Sequence, residues 1–399
     1  MSAAGGIQMN FDKLTNYLDG LEKAYGVPGT DILVTSGYDR VYRHQTGFCD
    51  YEKRERTNEN NLYRLFSATK VITMVAVMQL VEDGKLGLYD ELQKYIPEFG
   101  TLLVADSFSF QFPVHWPDRN DPCHLAHNSI RIIDLMSMTA GLNYDTTSDE
   151  LRRVREESND QASTQAVVKA MAKMPLVYEP RTRWAYSLAH DVLAAVVEIV
   201  SGQRFSRYLE EHIFRPLGAK ELYFNLNEEQ KRRVAALYMG RMDGAGIVPD
   251  DGKMSGSFQI TSNYESGGAG LIANVQDYSL VLEALANGGV GRSGARILSA
   301  QTVRLFMTSY TTEQMQKDFA GSGKAGYDYG LGVRVLIDRS HSRSPLGEFG
   351  WDGAAGAYAL VDPINRVSIF YVQHIIAFPV VYSEIHPRVR DLVYEGLAQ

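Results

Sequence analysis

The order of β-rich and helical segments along this chain is the feature that most constrains its fold. Near the N-terminus, residues 31–37 and 40–44 have the composition of two strands joined by a glycine turn. Near the C-terminus, residues 329–337 and 367–372 are again rich in β-branched and aromatic side chains, whereas helical signals dominate from 130 to 217. Strands at both ends with helices between them predict one sheet built from distant segments, with a helical region inserted between its parts.

Length and charge set the number of domains and the class of partner. The chain has 399 residues, of which 45% are hydrophobic and 22% are charged, so it can bury a large core. We predict the first part of an α/β domain over 1–97, an inserted mainly helical domain over 98–255 and the second part of the α/β domain over 256–399. A net charge of -8 argues against nucleic acid or an anionic membrane as a partner and favours small-molecule chemistry.

The cysteines and the N-terminus bear on the compartment. Only Cys49 and Cys123 are present, so no disulfide framework is implied and a cytoplasmic location is expected. The first ten residues lack the basic start and the apolar stretch of a secretory signal, and no long uninterrupted apolar segment predicts a membrane span. The sequence leaves the oligomeric state open.

Ser67 and Lys70 form the single Ser-x-x-Lys motif of the chain, between apolar runs over 62–66 and 71–78. Residues three apart share one face of a helix, so a helical backbone there places the amine beside the hydroxyl. A serine nucleophile needs a base within hydrogen-bond reach, and lysine serves as that base when desolvation lowers its pKa. The apolar flanks supply the desolvation, which indicates a nucleophile with its base. The alternative is a solvated pair on a helix face, which arises by chance in many chains.

A Ser–Lys pair needs a second proton carrier, because the leaving group must be protonated when the first intermediate collapses. Tyr186 is the candidate, since it directly precedes an apolar helix predicted over 191–202. The chain has 23 tyrosines, and a packing role is the alternative for any one of them.

Ordered motifs along nearly the whole chain resemble the serine β-lactamase and penicillin-binding superfamily. The Ser-x-x-Lys motif is followed by the segments 130–142, 186–188, 266–271 and 350–356, in the order of that superfamily. Within it the chain is similar to the class C-like branch, and especially to family VIII carboxylesterases and related acyltransferases. The resemblance implies an α/β (α+β) fold of the β-lactamase-like type, in which an antiparallel sheet is flanked by helices and carries an inserted mainly helical domain. No cofactor is expected.

Two departures from the β-lactamase pattern set the expected substrate class. Those enzymes place asparagine where this chain has Leu188, and a Lys-Thr-Gly or His-x-Gly triplet where it has Trp351, Asp352 and Gly353. The asparagine and the cation hold the amide and the carboxylate of a β-lactam or peptide, and both are missing from these positions. Tryptophan in the triplet is similar to the esterase branch, where an apolar wall suits uncharged acyl esters. The resemblance therefore assigns Leu188 and the triplet to substrate binding.

The resemblance also assigns an oxyanion hole to the main-chain N–H groups of Ser67 and Ala354. Two such donors stabilise a tetrahedral oxyanion by about 3 kcal/mol each. Only the backbone of Ala354 matters for this role. A tightly packed strand is the alternative interpretation of its glycine- and alanine-rich surroundings.

Other signals are weaker. His115, Cys123, His124 and His127 are metal-capable, but no carboxylate stands at a recognised spacing from them, so no metal site is predicted. The stretch 321–325 faintly resembles a phosphate loop and is interpreted as a flexible surface turn. Four aromatic residues of the irregular segment 106–128 either line an acyl pocket or only pack that loop: Phe108, Phe110, Phe112 and Trp116.

We predict a cytoplasmic carboxylesterase, a serine hydrolase that cleaves short-chain carboxylic esters through an acyl-enzyme on Ser67. Lys70 and Tyr186 would move the protons, and the partner would be a small-molecule ester, not nucleic acid or a membrane. Three alternatives stay open: a β-lactamase or D-amino-acid peptidase, an acyltransferase, and a penicillin-binding sensor that is acylated without turnover. The physiological ester and its acyl-chain length are not determined by the sequence.

Overall fold

Strands from both ends of the chain meet in one sheet. The computed structural model describes residues 9–108, 115–118, 120–241, 246–252, 256 and 258–398. In chain order, the strands are β1 (Gly29–Ser36), β2 (Asp39–Asp50), β3 (Glu55–Arg56), β4 (Tyr63–Arg64), β5 (Leu103–Ala105), β6 (Cys123–Leu125), β7 (Leu222–Tyr223), β8 (Tyr238–Gly240), β9 (Ile247–Pro249), β10 (Ile272–Ala273), β11 (Tyr327–Tyr329), β12 (Arg334–Leu336), β13 (Phe349–Asp352), β14 (Tyr358–Asp362), β15 (Val367–Val372) and β16 (Ile375–Ile376).

The main sheet has the strand order β11-β12-β13-β14-β15-β1-β2-β3, with antiparallel pairing throughout. β1 joins the two ends of the chain, because it pairs with β2 on one side and with β15 on the other. The prediction of a sheet built from distant segments is confirmed. The β-rich run over 329–337 contains a glycine-containing turn that separates β11 from β12, and the two strands pair with each other.

Helices cover both faces of this sheet. In chain order, they are α1 (Asp12–Asp19), α2 (Leu21–Tyr25), α3 (Thr69–Glu82), α4 (Ile132–Met136), α5 (Asp149–Glu157), α6 (Thr164–Met171), α7 (Ala189–Ser201), α8 (Phe205–Leu209), α9 (Arg215–Leu217), α10 (Glu228–Arg232), α11 (Val275–Ala286), α12 (Ala300–Leu305), α13 (Glu313–Ala320) and α14 (His386–Leu397).

Alternation along β1 divides the core into two layers. Ile32 and Val34 pack with the helices of the two termini, whereas Leu33 joins the larger core that contains α3, α7 and α11. This division follows from the period of two along a strand, which sends successive side chains to opposite faces. The predicted antiparallel sheet flanked by helices is therefore confirmed, and the boundaries at 97/98 and 255/256 stay predictions.

The helix α3 is the central element of the larger core. Its residues from Thr69 to Met78 are all buried, as expected of a helix that is apolar around its whole circumference. α7 packs against it and ends at Gly202, which adopts the left-handed conformation common after a helix. Within the described ranges, the structure contains no helix long and apolar enough to cross a membrane.

Candidate active site

Ser67 lies in a strained turn at the start of α3. A 3₁₀ turn over Phe66–Ala68 leads into the helix, and Phe66 has a φ of 45°. A left-handed conformation costs a non-glycine residue about 1–2 kcal/mol, and it persists only where the surroundings hold it. The end of the Trp351-Asp352-Gly353 triplet packs directly against this turn, because a Cβ on Gly353 would lie 2.2 Å from the Leu65 carbonyl oxygen. The triplet can therefore approach the nucleophile only if it ends in glycine.

Lys70 is fully buried one turn after Ser67. Its Nζ lies 3.3 Å from Ser67 Oγ and donates a hydrogen bond of 2.8 Å to the carbonyl oxygen of Gly268. Burial lowers the pKa of Lys70 to about 7, and the charge of Asp191 opposes that shift. At neutral pH a large fraction of the amine is therefore unprotonated and able to accept the Ser67 proton.

The segment 266–271 closes the site beside Lys70. A Cβ on Gly268 would lie 2.6 Å from Asp191 Oδ2 and 3.3 Å from Lys70 Nζ, so the backbone is wedged between the carboxylate and the amine. Asp191 is fully buried on α7, and its Oδ1 accepts hydrogen bonds from Tyr264 and Ser266. The sequence motif 266–271 thus serves to pack a lysine and a carboxylate close together without exposing either.

Two tyrosines, and not one, stand beside the Ser–Lys pair. The rings of Tyr186 and Tyr144 stack at 5.1 Å between centroids, and they lie 4.6 Å and 5.2 Å from Lys70 Nζ. Burial raises the pKa of both phenols, and a hydrogen bond with the Ser67 side chain counters the rise in each. Both hydroxyls therefore reach the nucleophile in protonated form. Tyr144 was missed by sequence reasoning, although it follows the motif segment 130–142 by only two residues.

Trp351 holds the proton carrier predicted from the sequence. Its indole stacks on Tyr186 at 5.6 Å, and Nε1 donates a hydrogen bond of 3.1 Å to the Tyr186 hydroxyl. Tyr144 has no such bond among the described hydrogen bonds, which distinguishes two otherwise similar phenols. The side chain of Trp351 is 5% exposed, so the tryptophan of the triplet also fixes the tyrosine in place.

The triplet itself carries no cation, as the sequence shows, but a lysine from another segment of the chain stands beside it. Lys324 forms an ion pair with Asp352, and its Nζ lies 5.5 Å above the Trp351 ring. The segment 321–325 is exposed at the surface except at Lys324, whose side chain is only 17% exposed. Sequence spacing gave no sign of this contact, since 28 positions separate the two partners.

Asp352 is the centre of a buried ionic cluster behind the triplet. Burial acts to raise its pKa, but Lys324 and Arg334 outweigh burial and hold the pKa well below the usual range. Arg334 Nη1 lies 2.8 Å from Asp352 Oδ1, and Arg334 also pairs with Glu348 at 3.6 Å. The Asp352 carboxylate therefore neutralises the positive charge of Lys324.

The remaining predicted residues lie around this centre. Ala354 packs in the same small apolar cluster as Phe66, which brings the segments of the two predicted oxyanion-hole N–H groups together. Leu188 is buried in the larger core just before α7, and its contact with a substrate stays a prediction.

Two of the four aromatic residues predicted to line an acyl pocket or pack their loop are described, and neither is seen to contact the Ser67 site. Trp116 donates its indole N–H to the Asp145 carbonyl, and Phe108 packs edge-on against Tyr178. Phe110 and Phe112 lie outside the described residues. Another ring, Phe258, packs edge-on against both Phe66 and Tyr144 and so flanks the nucleophile.

Known proteins resemble this chain over most of its length. The Beta-lactamase family model matches residues 14–375. Protein Rv1367c of Mycobacterium tuberculosis is 29% identical over 341 residues, which cover 83% of this chain and 82% of that protein. Esterase EstB of Burkholderia gladioli is 27% identical over 389 residues, covering 92% and 90%. The structure of EstCE1, a hydrolase with promiscuous acyltransferase activity, matches with a TM-score of 0.78 at 23% identity, covering 96% of this chain and 98% of that one. The predicted β-lactamase-like fold is confirmed.

Activity should rise with pH through the pKa of Lys70. The amine accepts the Ser67 proton only when it is neutral, and its pKa of about 7 places that change near neutral pH. Between about pH 5.5 and 9, kcat/KM for a p-nitrophenyl ester should increase on the acid side and level off above the pKa. Lys70→Arg stays protonated and should lose activity about 10³-fold or more. A flat pH profile, or an arginine variant that keeps about a tenth of the wild-type kcat, would exclude Lys70 as the base.

Substituting each tyrosine separately tests which one carries the proton. Tyr186→Phe should lower kcat about 10²-fold with a smaller change in KM, because the hydroxyl acts mainly in the transition states. Tyr144→Phe is the matched control, since it removes the hydroxyl of the stacked ring that lacks the Trp351 hydrogen bond, and it should lower kcat less than about tenfold. The reverse order of effects would transfer the role to Tyr144.

Proposed function

The chain belongs to the Beta-lactamase family, and on that premise we propose that it is a carboxylesterase that cleaves short-chain carboxylic esters through an acyl-enzyme on Ser67. The observation that carries the proposal is the fully buried Lys70, whose pKa of about 7 leaves its amine free to take the serine proton. A serine with a neutral amine at hydrogen-bond distance is an activated nucleophile. The resemblance to esterase EstB supports the choice of ester chemistry.

Acylation would begin with attack of Ser67 Oγ on the ester carbonyl carbon. Lys70 Nζ, 3.3 Å away, takes the hydroxyl proton, and the N–H groups of Ser67 and Ala354 bind the oxyanion. When the tetrahedral intermediate collapses, the bond to the alcohol oxygen breaks. The proton passes from Lys70 through the Tyr186 hydroxyl to that oxygen, so the alcohol leaves neutral and the acyl group stays on Ser67.

Deacylation would use the same groups in reverse. A water molecule in the position of the departed alcohol gives its proton to the Tyr186–Lys70 pair while its oxygen attacks the acyl carbon. The second tetrahedral intermediate collapses with cleavage of the bond to Ser67 Oγ, which takes the proton back. The products are a carboxylic acid and free enzyme, and one water is consumed in each cycle.

The proposed preference for uncharged esters follows from the charges around the triplet. The Lys324 amine lies 5.5 Å above the indole of Trp351, and it is already paired with Asp352. A β-lactam carboxylate that uses Lys324 must compete with this partly buried ion pair. A neutral ester pays no such cost. The aromatic rings of Tyr144, Tyr186 and Phe258 offer apolar surface beside Ser67.

Two rivals are supported by particular observations. The β-lactamase or D-amino-acid peptidase alternative gains from Lys324, because a cation stands near the triplet after all. The acyltransferase alternative gains from the likeness to EstCE1, a hydrolase with promiscuous acyltransferase activity. A location in the cytoplasm stays a proposal that rests on the cysteine content.

The decisive measurement compares an ester with a β-lactam. We expect kcat/KM for p-nitrophenyl butyrate to exceed that for nitrocefin by about tenfold or more, the value of one charge-assisted contact. Intact-mass analysis during ester turnover should detect an acyl adduct on the wild-type chain and none on Ser67→Ala. Equal or better turnover of nitrocefin favours the β-lactamase rival, a burst that stops after one equivalent favours the sensor, and ester exchange into an added alcohol ahead of hydrolysis favours the acyltransferase.

Freeing Lys324 should shift this preference. Asp352→Asn removes the partner charge, so the ratio of nitrocefin to ester kcat/KM should increase about tenfold. The matched control Asp352→Asn/Lys324→Met lacks the freed cation and should restore the original ratio. A ratio is used because any loss of folded protein affects both substrates equally. If Asp352→Asn leaves the ratio unchanged, the ion pair does not govern substrate charge.

A further inference from the structure

We propose that His124, His127 and Glu179 form a binding site for a divalent cation of the zinc type. Their ligand atoms all lie within 4.8 Å of one another. His124 Nε2 lies 3.2 Å and His127 Nδ1 3.0 Å from Glu179 Oε1. A tetrahedral Zn²⁺ ion with ligands at about 2.0–2.2 Å keeps those ligands about 3.3–3.5 Å apart. The three side chains therefore need little rearrangement to enclose the ion.

The fold brings the carboxylate to the histidines from a distant part of the chain. His124 lies on β6, which pairs with β5. On the other side of β5, Leu176 exchanges backbone hydrogen bonds with Leu103 and Ala105, so the segment leading to Glu179 runs beside the hairpin. The Glu179 side chain is 17% exposed, and its Oε1 also accepts the His127 main-chain N–H. The carboxylate that the sequence lacked at a recognised spacing is thus supplied 52 positions later.

The second ring nitrogen of His124 contacts a carboxylate, as in many metal sites. His124 Nδ1 lies 2.7 Å from Asp106 Oδ1. Donation of the Nδ1 proton to a carboxylate fixes the tautomer that leaves Nε2 unprotonated, and this outer partner raises the affinity of a histidine for metal. Asp106 is itself anchored, because its N–H bonds to the Pro122 carbonyl oxygen. Asp106, His124 and the proposed ion therefore form a carboxylate–histidine–metal row, and His127 and Glu179 are the further ligands of the ion.

The ligand types select the class of ion. Two imidazoles with one carboxylate suit Zn²⁺, whereas Mg²⁺ and Ca²⁺ prefer oxygen ligands alone. The His127 side chain is 78% exposed, so water would complete the coordination. The neighbouring His115 belongs elsewhere, since it contacts Asp145. Without a metal, the same contacts are two histidine–carboxylate ion pairs, and this is the alternative that the experiment must separate.

A bound ion would connect the β5–β6 hairpin to the segment that ends at Tyr186. Glu179 lies in that segment, and its carbonyl oxygen accepts hydrogen bonds from the Thr182 hydroxyl and main-chain N–H. The site is made of residues that take no part in the proposed catalysis. Its presence or absence is therefore independent of the ester assignment.

Zinc binding to the full-length, tag-free chain tests the proposal. The protein is stripped with a chelator and titrated with ZnCl₂ in competition with a fluorescent zinc indicator. We expect one equivalent to bind with a Kd below about 10 µM, weakened about tenfold or more in His124→Gln and in Glu179→Gln. Glu179→Gln keeps an oxygen that can accept the His127 main-chain N–H, so it tests the ligand charge with little risk to the fold. The matched control His341→Gln removes an exposed imidazole elsewhere and should leave the Kd unchanged.

The position of the ion is tested separately. A crystal soaked in ZnCl₂ should give an anomalous peak about 2.0–2.2 Å from His124 Nε2, His127 Nδ1 and a Glu179 oxygen. A Kd weaker than about 100 µM, equal affinities for Glu179→Gln and His341→Gln, or a peak at another group of residues would overturn the proposal and leave the cluster as ion pairs.

Discussion

The burial of one amine is the constraint on which the rest of the site depends. Lys70 can act as a base because its burial lowers its pKa, yet a buried lysine without partners is costly. The structure meets both conditions. The Gly268 carbonyl accepts a hydrogen bond from the amine, and the buried Asp191 opposes the loss of its proton. The pKa of about 7 is the balance of these effects. Gly268 is required because a side chain there would collide with the Asp191 carboxylate and the Lys70 amine.

An aromatic contact and a buried ionic cluster, both from the triplet, fix the geometry around Ser67. Trp351 fixes Tyr186 by stacking and by its indole N–H, and the next residue of the triplet, Asp352, enters the buried cluster with Arg334 and Lys324. Breaking a buried ion pair by removing one partner typically costs about 3–5 kcal/mol, so the position of β13 is strongly determined. Gly353 then lets this fixed strand touch the nucleophile turn. Lys324 helps to fix β13 through its ion pair with Asp352, and without that pair its positive charge would attract a substrate carboxylate.

Much of the fold follows from local pattern. The pairing of β1 with β15 joins segments that read as strands from composition alone, and the burial of α3 follows from its continuous apolar run. The β-rich run over 329–337 belongs to the β11–β12 hairpin, because a tight turn with two glycines interrupts it. Local composition predicts whether a segment is strand or helix more reliably than it predicts where that element ends, since one or two residues suffice to reverse the chain.

The sequence by itself determined the Ser67–Lys70 pair, because residues three apart on a helix must be neighbours whatever the rest of the chain does. It also selected Tyr186 through the ordered motifs. Only the tertiary structure decided that Tyr144 stands beside it, that Lys324 neutralises Asp352, and that Glu179 meets two histidines. These contacts join residues 28 to 55 positions apart that no helical or strand period relates. Such contacts depend on how whole elements pack, and packing is a property of the complete chain.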